Sequence, residues 1–130
     1  MSVTELRSPA LNKPLGGYSH AMKVSNPRNL VFVSGLTSRD TAGKVVGVGD
    51  IKLQTKTVIE NLQHALAEGG MTLKNIVKLT VFIRDMNMFA AIHEVRGQYF
   101  SEPYPASTMV EVSRMVSPEH LIEIDAIAAD

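Results

Sequence analysis

The chain has 130 residues, with thirteen basic side chains against thirteen acidic ones and no cysteine. That length supports one hydrophobic core over residues 1–130 without disulfides or a structural metal. Balanced charge removes any broad attraction to phosphate backbones or anionic membranes, and the missing thiols remove disulfides, zinc-thiolate sites and cysteine nucleophiles. The N-terminal stretch MSVTELRSPALNKPLGG lacks the pattern of a signal peptide, and no apolar run reaches membrane-spanning length. The expectation is a single soluble, cytoplasmic domain with neither a nucleic-acid nor a membrane partner.

In chain order, Leu30 to Leu36 (LVFVSGL) reads as a buried strand closed by the polar stretch Thr37 to Gly43, with Met22 to Val24 as its hairpin partner. Asp50 can cap a helix in which Ile51, Thr55, Val58, Leu62, Ala65 and Leu66 recur at helical spacing until Gly69 and Gly70 stop it. In Ile76 to Arg84, Val77, Leu79, Val81 and Ile83 alternate with Lys78, Thr80 and Arg84, the period of a half-buried strand. A second helix is expected from about Asn87 to Phe100, with Phe89, Ile92, Val95 and Tyr99 on its apolar stripe. Two more strands follow, Ser107 to Ser113 and Leu121 to Ala128, joined through a turn containing Pro118. Each helix lies between strands, so the reading is an α+β fold with both helices on one face of a mixed sheet and the other face left to water or a partner.

Three patterns go further: Gly17-Tyr18-Ser19, Val33-Ser34-Gly35, and Pro105-Ala106 with Val110-Glu111-Val112 ahead of Ile122-Glu123-Ile124-Asp125-Ala126-Ile127-Ala128. Together with the stretch VKLTVFIRDMNMFAAIHEVRGQYF they resemble the RidA (YjgF) family of enamine/imine deaminases over nearly the whole chain. The resemblance implies a chorismate-mutase-like fold assembled as a homotrimer, with small-molecule sites in the clefts between subunits. It also implies hydrolysis of reactive 2-enamines and 2-imines to a carbonyl compound and ammonia, with no metal or organic cofactor.

By that resemblance Glu123 is the water-handling carboxylate and Tyr18 the aromatic wall of the cleft. Ser34 and Gly35 bring backbone close to the ligand, and Met109 offers its backbone N–H. Glu123 and Asp125 are two apart on a strand, so they share a face with Cα atoms roughly 6 to 7 Å apart. The departure is Ser107. Deaminating relatives carry arginine there, and losing such a charge-assisted contact removes about 1.5 to 3 kcal/mol of binding. The expected substrate is therefore non-standard, with aminomuconate-type compounds one option. The alternative is a non-catalytic binding or regulatory trimer. His93, with Arg96 one turn on, is either a substitute anion site or an ordinary pair of polar residues on a helix flank. Ribonuclease, another label used in the family, gains nothing from zero net charge. The four histidines lack metal-ligand spacing, and Gly43, Gly47 and Gly49 read as turn residues rather than a phosphate loop.

Overall fold

A computed structural model describes residues 1–130. Its strands are β1 (Ser2–Leu6), β2 (Ala21–Ser25), β3 (Leu30–Leu36), β4 (Ile76–Ile83), β5 (Ala106–Glu111) and β6 (Ile122–Ala129), and its helices are α1 (Ile51–Glu68) and α2 (Phe89–Arg96). Strands β3, β6, β4 and β5 form one mixed sheet in that order, antiparallel except for the parallel β4–β5 pair. The two C-terminal strands are therefore not a hairpin; β4 lies between them.

Helix α1 begins where the sequence places it, because Asp50 Oδ1 accepts the Leu53 N–H at 3.0 Å. It ends at Gly69, whose successor Gly70 takes φ of +73°, a conformation costly for any side chain with a Cβ. Val58, Ile59, Leu62 and Leu66 from α1 meet Ile92 and Val95 from α2 over Leu79, Val81, Ile83, Ile122 and Ile124 of the sheet. All of these are buried, and together they make one core on one face. Gln54, also buried, fastens the surrounding loops: its amide donates to the carbonyls of Gly47 and Glu119, and its oxygen accepts the Leu121 N–H. No helix is long and apolar enough to cross a membrane.

The opposite face has no helix. Alternation along β6 puts Ile122, Ile124, Ala126 and Ala128 into the core and leaves Glu123, Asp125 and Ile127 half-buried on the open side. Register adds Thr80 beside Asp125, Phe82 beside Glu123 and, from β3, Phe32 beside Ile127. Phe32 is 70% exposed.

Four elements differ from the sequence reading. The irregularity between Ile76 and Lys78 turns Ile76 into the core in place of Val77, which the alternation alone assigns inward. Helix α2 is shorter than expected, preceded by a 3-10 turn at Met86–Met88, and Phe89 is exposed rather than on its apolar stripe. The opening residues form a strand that the sequence did not announce. Strand β2 pairs with this β1, Ser2 opposite Ser25 through Leu6 opposite Ala21, and not with β3. The reason lies in the connection Asn26–Asn29. Asn26 takes φ of 53°, Pro27 follows, and the N–H groups of Arg28 and Asn29 go to the Asp130 carbonyl, so the segment is tied to the end of β6 and closes no hairpin. The outer edge of β3 is left without a partner.

Candidate functional site

The candidate residues fall into two groups on opposite faces of the sheet. The first is on the open face. Between Val33, opposite Ala126, and Leu36, opposite Ile124, residues Ser34 and Gly35 of β3 together face the single residue Asp125 of β6. Two residues against one is a β-bulge, a device that redirects backbone at functional positions. Glycine lets the Glu123 side chain lie close here. A Cβ at this position would overlap Oε2 of Glu123 and lie 2.9 Å from its Cδ, so the carboxylate rests directly on the glycine backbone. Glu123, Asp125, Ser34 and Gly35 thus form one acidic, solvent-reachable corner.

The second group is built from α2, β5 and the segment before β2. Parallel pairing sets Ser107 beside Leu79 and Met109 beside Val81, which turns both side chains toward the helices. Met109 packs against the core. Ser107 Oγ accepts a hydrogen bond at 3.1 Å from Nη2 of Arg96, in the last turn of α2. Burial pushes the Arg96 guanidinium below its ordinary pKa, and no carboxylate lies near enough to oppose that shift. The neighbouring acid Glu94 is engaged elsewhere, 3.0 Å from Lys52 Nζ. His93 stacks on Phe89 with ring planes 6° apart and approaches Gly17 from above, where an added Cβ would meet its Cε1 at 3.7 Å. Gly16, Gly17, His93, Arg96, Phe100 and Tyr104 border a cavity of about 340 Å³.

Tyr18 belongs to this second side but not to that cavity. It lines an adjoining space of about 660 Å³ together with Glu5, Arg7 and His20; Gly16, Glu102 and Tyr104 border both. Its hydroxyl accepts the Leu15 N–H at 3.4 Å, and its ring centroid is 5.9 Å from that of His20. The segment is anchored by the next residue, as Ser19 N–H donates to the Pro105 carbonyl at 3.1 Å and its hydroxyl to that of Tyr104 at 2.5 Å. The Arg7 hydrogen bond holds the Glu5 carboxyl below its usual range.

The structure therefore brings Ser34, Gly35 and Glu123 together, and on the other side it places His93 beside the cavity that Arg96 borders, with Ser107 bonded to Arg96 and Tyr18 in the adjoining space. It does not bring Glu123 within one chain to Ser107 or Met109. Two intervening strand spacings, roughly 10 Å, and the thickness of the sheet lie between them. The Arg96–Ser107 contact was not visible in the sequence beyond the helical spacing of His93 and Arg96. No three His, Asp or Glu side chains cluster as a metal site would require.

A four-stranded mixed sheet covered on one face by two helices, with a bulged glycine under a carboxylate, defines a recognisable class of small α+β protein. A family model described as Endoribonuclease L-PSP matches residues 9–130, and the chain belongs to that family, which includes the RutC and RidA proteins. A RutC family protein of Pyrococcus abyssi is 47% identical over 116 residues, 89% of this chain and 88% of the relative. A protein of Acinetobacter baylyi named 3-aminoacrylate deaminase RutC is 39% identical over 115 residues, 88% of each chain. Among solved structures, a Rid family protein of unknown function from Yersinia pestis superimposes with a TM-score of 0.88 over 100% of both chains at 26% identity.

Proposed function

We propose that this protein is a cofactor-independent deaminase that hydrolyses a small, reactive enamine or imine acid to the corresponding carbonyl compound and ammonia. The observation that carries the reading is the Glu123 carboxylate seated on the bulged Gly35 backbone at an open, reachable position. The deaminase name borne by the relative of Acinetobacter baylyi supports the same class.

The chemistry follows from one carboxylate and one water. An enamine first takes a proton on carbon and becomes the imine. Glu123 then accepts a proton from water as the water oxygen bonds to the C=N carbon, giving a carbinolamine. The same carboxyl returns that proton to nitrogen, which completes the carbinolamine; it then takes the carbinolamine hydroxyl proton and passes it to nitrogen, so that the C–N bonding pair leaves with nitrogen as ammonia while the O–H electrons form the C=O. The Gly35 backbone, unshielded by any side chain, can approach the substrate closely.

The site is assembled between copies, in a homotrimer. The acidic corner and the cationic cavity lie on opposite faces of one chain, so they can meet on one small molecule only if different copies supply them. The bare β3 edge and the exposed Phe32 provide a surface for such an assembly. The cavity of about 340 Å³ suits a short substrate better than a long one.

Ammonia release from enamines of several chain lengths, generated enzymatically in the assay, tests the reading. Turnover that disappears in Glu123→Gln supports it; no turnover with any substrate, beside an active relative that carries the strand arginine, sinks it. The serine at position 107 favours one second reading, a trimer that binds small acids without hydrolysing them. Ligand-induced stabilisation without ammonia release would select that reading.

A further inference from the structure

We propose that Arg96 of α2 is the carboxylate anchor of the site, presented from the helix and steadied by the Ser107 hydroxyl. This rests on the small-acid reading above but concerns a residue that the family pattern does not mark.

Arg96 is a half-buried cation with no ion-pair partner. The ion pairs of the chain are Arg7 with Glu5, Lys52 with Glu94 and Lys56 with Glu60, and none involves it. Withdrawing an unpaired guanidinium even partly from water is unfavourable, and an anion supplied at the cavity would offset that cost. Its only protein acceptor is Ser107 Oγ, which takes one N–H of Nη2. A guanidinium carries five N–H donors, so an edge remains free for the two oxygens of a carboxylate. Arg96 borders the cavity of about 340 Å³, alongside Gly17, His93 and Tyr104. Glu102 lies on the rim of the same cavity but makes no ion pair with Arg96; its charge acts on Arg7.

The serine also explains itself. A hydroxyl is short enough to leave room for the guanidinium and accepts one of its protons, fixing the plane of the fork. An arginine at 107 would put a second cation against the first. Position 107 and position 96 are thus alternatives for one charge, delivered from strand or helix. Restoring the strand arginine by Ser107→Arg alone would weaken the site rather than repair it.

The test uses pyruvate and 2-oxobutyrate as carboxylate probes and their primary amides as uncharged counterparts, with binding followed by calorimetry on the full-length protein. Wild type should bind the acids at least tenfold more tightly than the amides. Arg96→Gln should weaken acid binding about 10- to 100-fold, leave amide binding unchanged and so erase the preference. The exchange variant Arg96→Ser with Ser107→Arg should regain the preference that Ser107→Arg alone lacks, which guards against a folding defect in Arg96→Gln. An acid preference that survives in folded Arg96→Gln, or a wild type with no preference, overturns the proposal. The two readings fail separately. An Arg96-dependent preference without ammonia release ends the deaminase reading and keeps the anchor. Ammonia release with acid binding indifferent to Arg96 does the reverse.

Discussion

The two faces of the sheet use the same alternating pattern for opposite ends. On the covered face, every second residue of β4 and β6 is buried against α1 and α2, and the buried Gln54 is held by three backbone groups. On the open face, the intervening residues are Glu123, Asp125, Thr80 and Phe82, half-buried and free of any such network. One face holds the fold together. The other carries acidic side chains that the fold does not need, and that division can be tested.

The largest effect should come from Glu123→Gln, which removes the proton acceptor without changing shape; turnover should fall about 10²- to 10⁴-fold with the melting temperature retained. A sharper version mixes this variant with Arg96→Gln after joint unfolding and refolding. Each alone is strongly impaired at low substrate concentration, yet if the site joins one copy's acid to another's guanidinium, random assembly leaves about one quarter of the sites intact. Activity that stays at the level of the separate variants would place both groups in one copy.

On the covered face the opposite signature is expected. Gln54→Leu should destabilise by on the order of 3 kcal/mol, because the Leu121 N–H and two carbonyls lose their partner in a buried setting. Chemical denaturation measures this, and the surviving folded fraction should keep its turnover. Gly35→Ala sits between the two extremes. Its new methyl must push the Glu123 carboxylate aside, so turnover should drop roughly tenfold while stability changes by less than about 1 kcal/mol. A variant with unchanged turnover would detach the bulge from the reaction.

The smallest effect is one of pH. Buried His120 has a pKa lowered from 6.5, first by burial and then by the charge of Arg39, with Glu119 opposing. Below about pH 6.5 the unfolded chain takes up a proton that the folded chain resists, so stability should decline as pH falls through that value and be fully present above it. His120→Gln should flatten the decline between about pH 7.5 and 5.5 in thermal melts.

Much of the covered face was legible in the sequence because its signals are local. Asp50, Gly69 and Gly70 bound α1 by caps that act within a few residues, and the period-two patterns of β4 and β6 are short-range consequences of strand geometry. The open face, its acid and its glycine were also marked. The rest is non-local. Nothing near Asn26–Asn29 reveals that its backbone bonds to residue 130 and so withholds β2 from β3. The bulge at Val77 depends on pairing with a strand fifty residues away. Arg96 and Ser107 meet only because α2 packs over β5, and a one-dimensional reading records one as a missing charge and the other as a flank residue.

The uncovered margin of β3 has a consequence for any copy of the chain that stands alone. Its sequence, LVFVSGL, contains no charge and no proline, and it presents a continuous row of unsatisfied backbone groups beside two bulky side chains, Leu30 and Phe32. The nearest charges are Arg28 and Arg39, just outside the strand. A freshly made copy is therefore adhesive. Indiscriminate strand addition is open to it for as long as that edge stays bare, and a copy covered by sister chains, as in the proposed trimer, would no longer offer it.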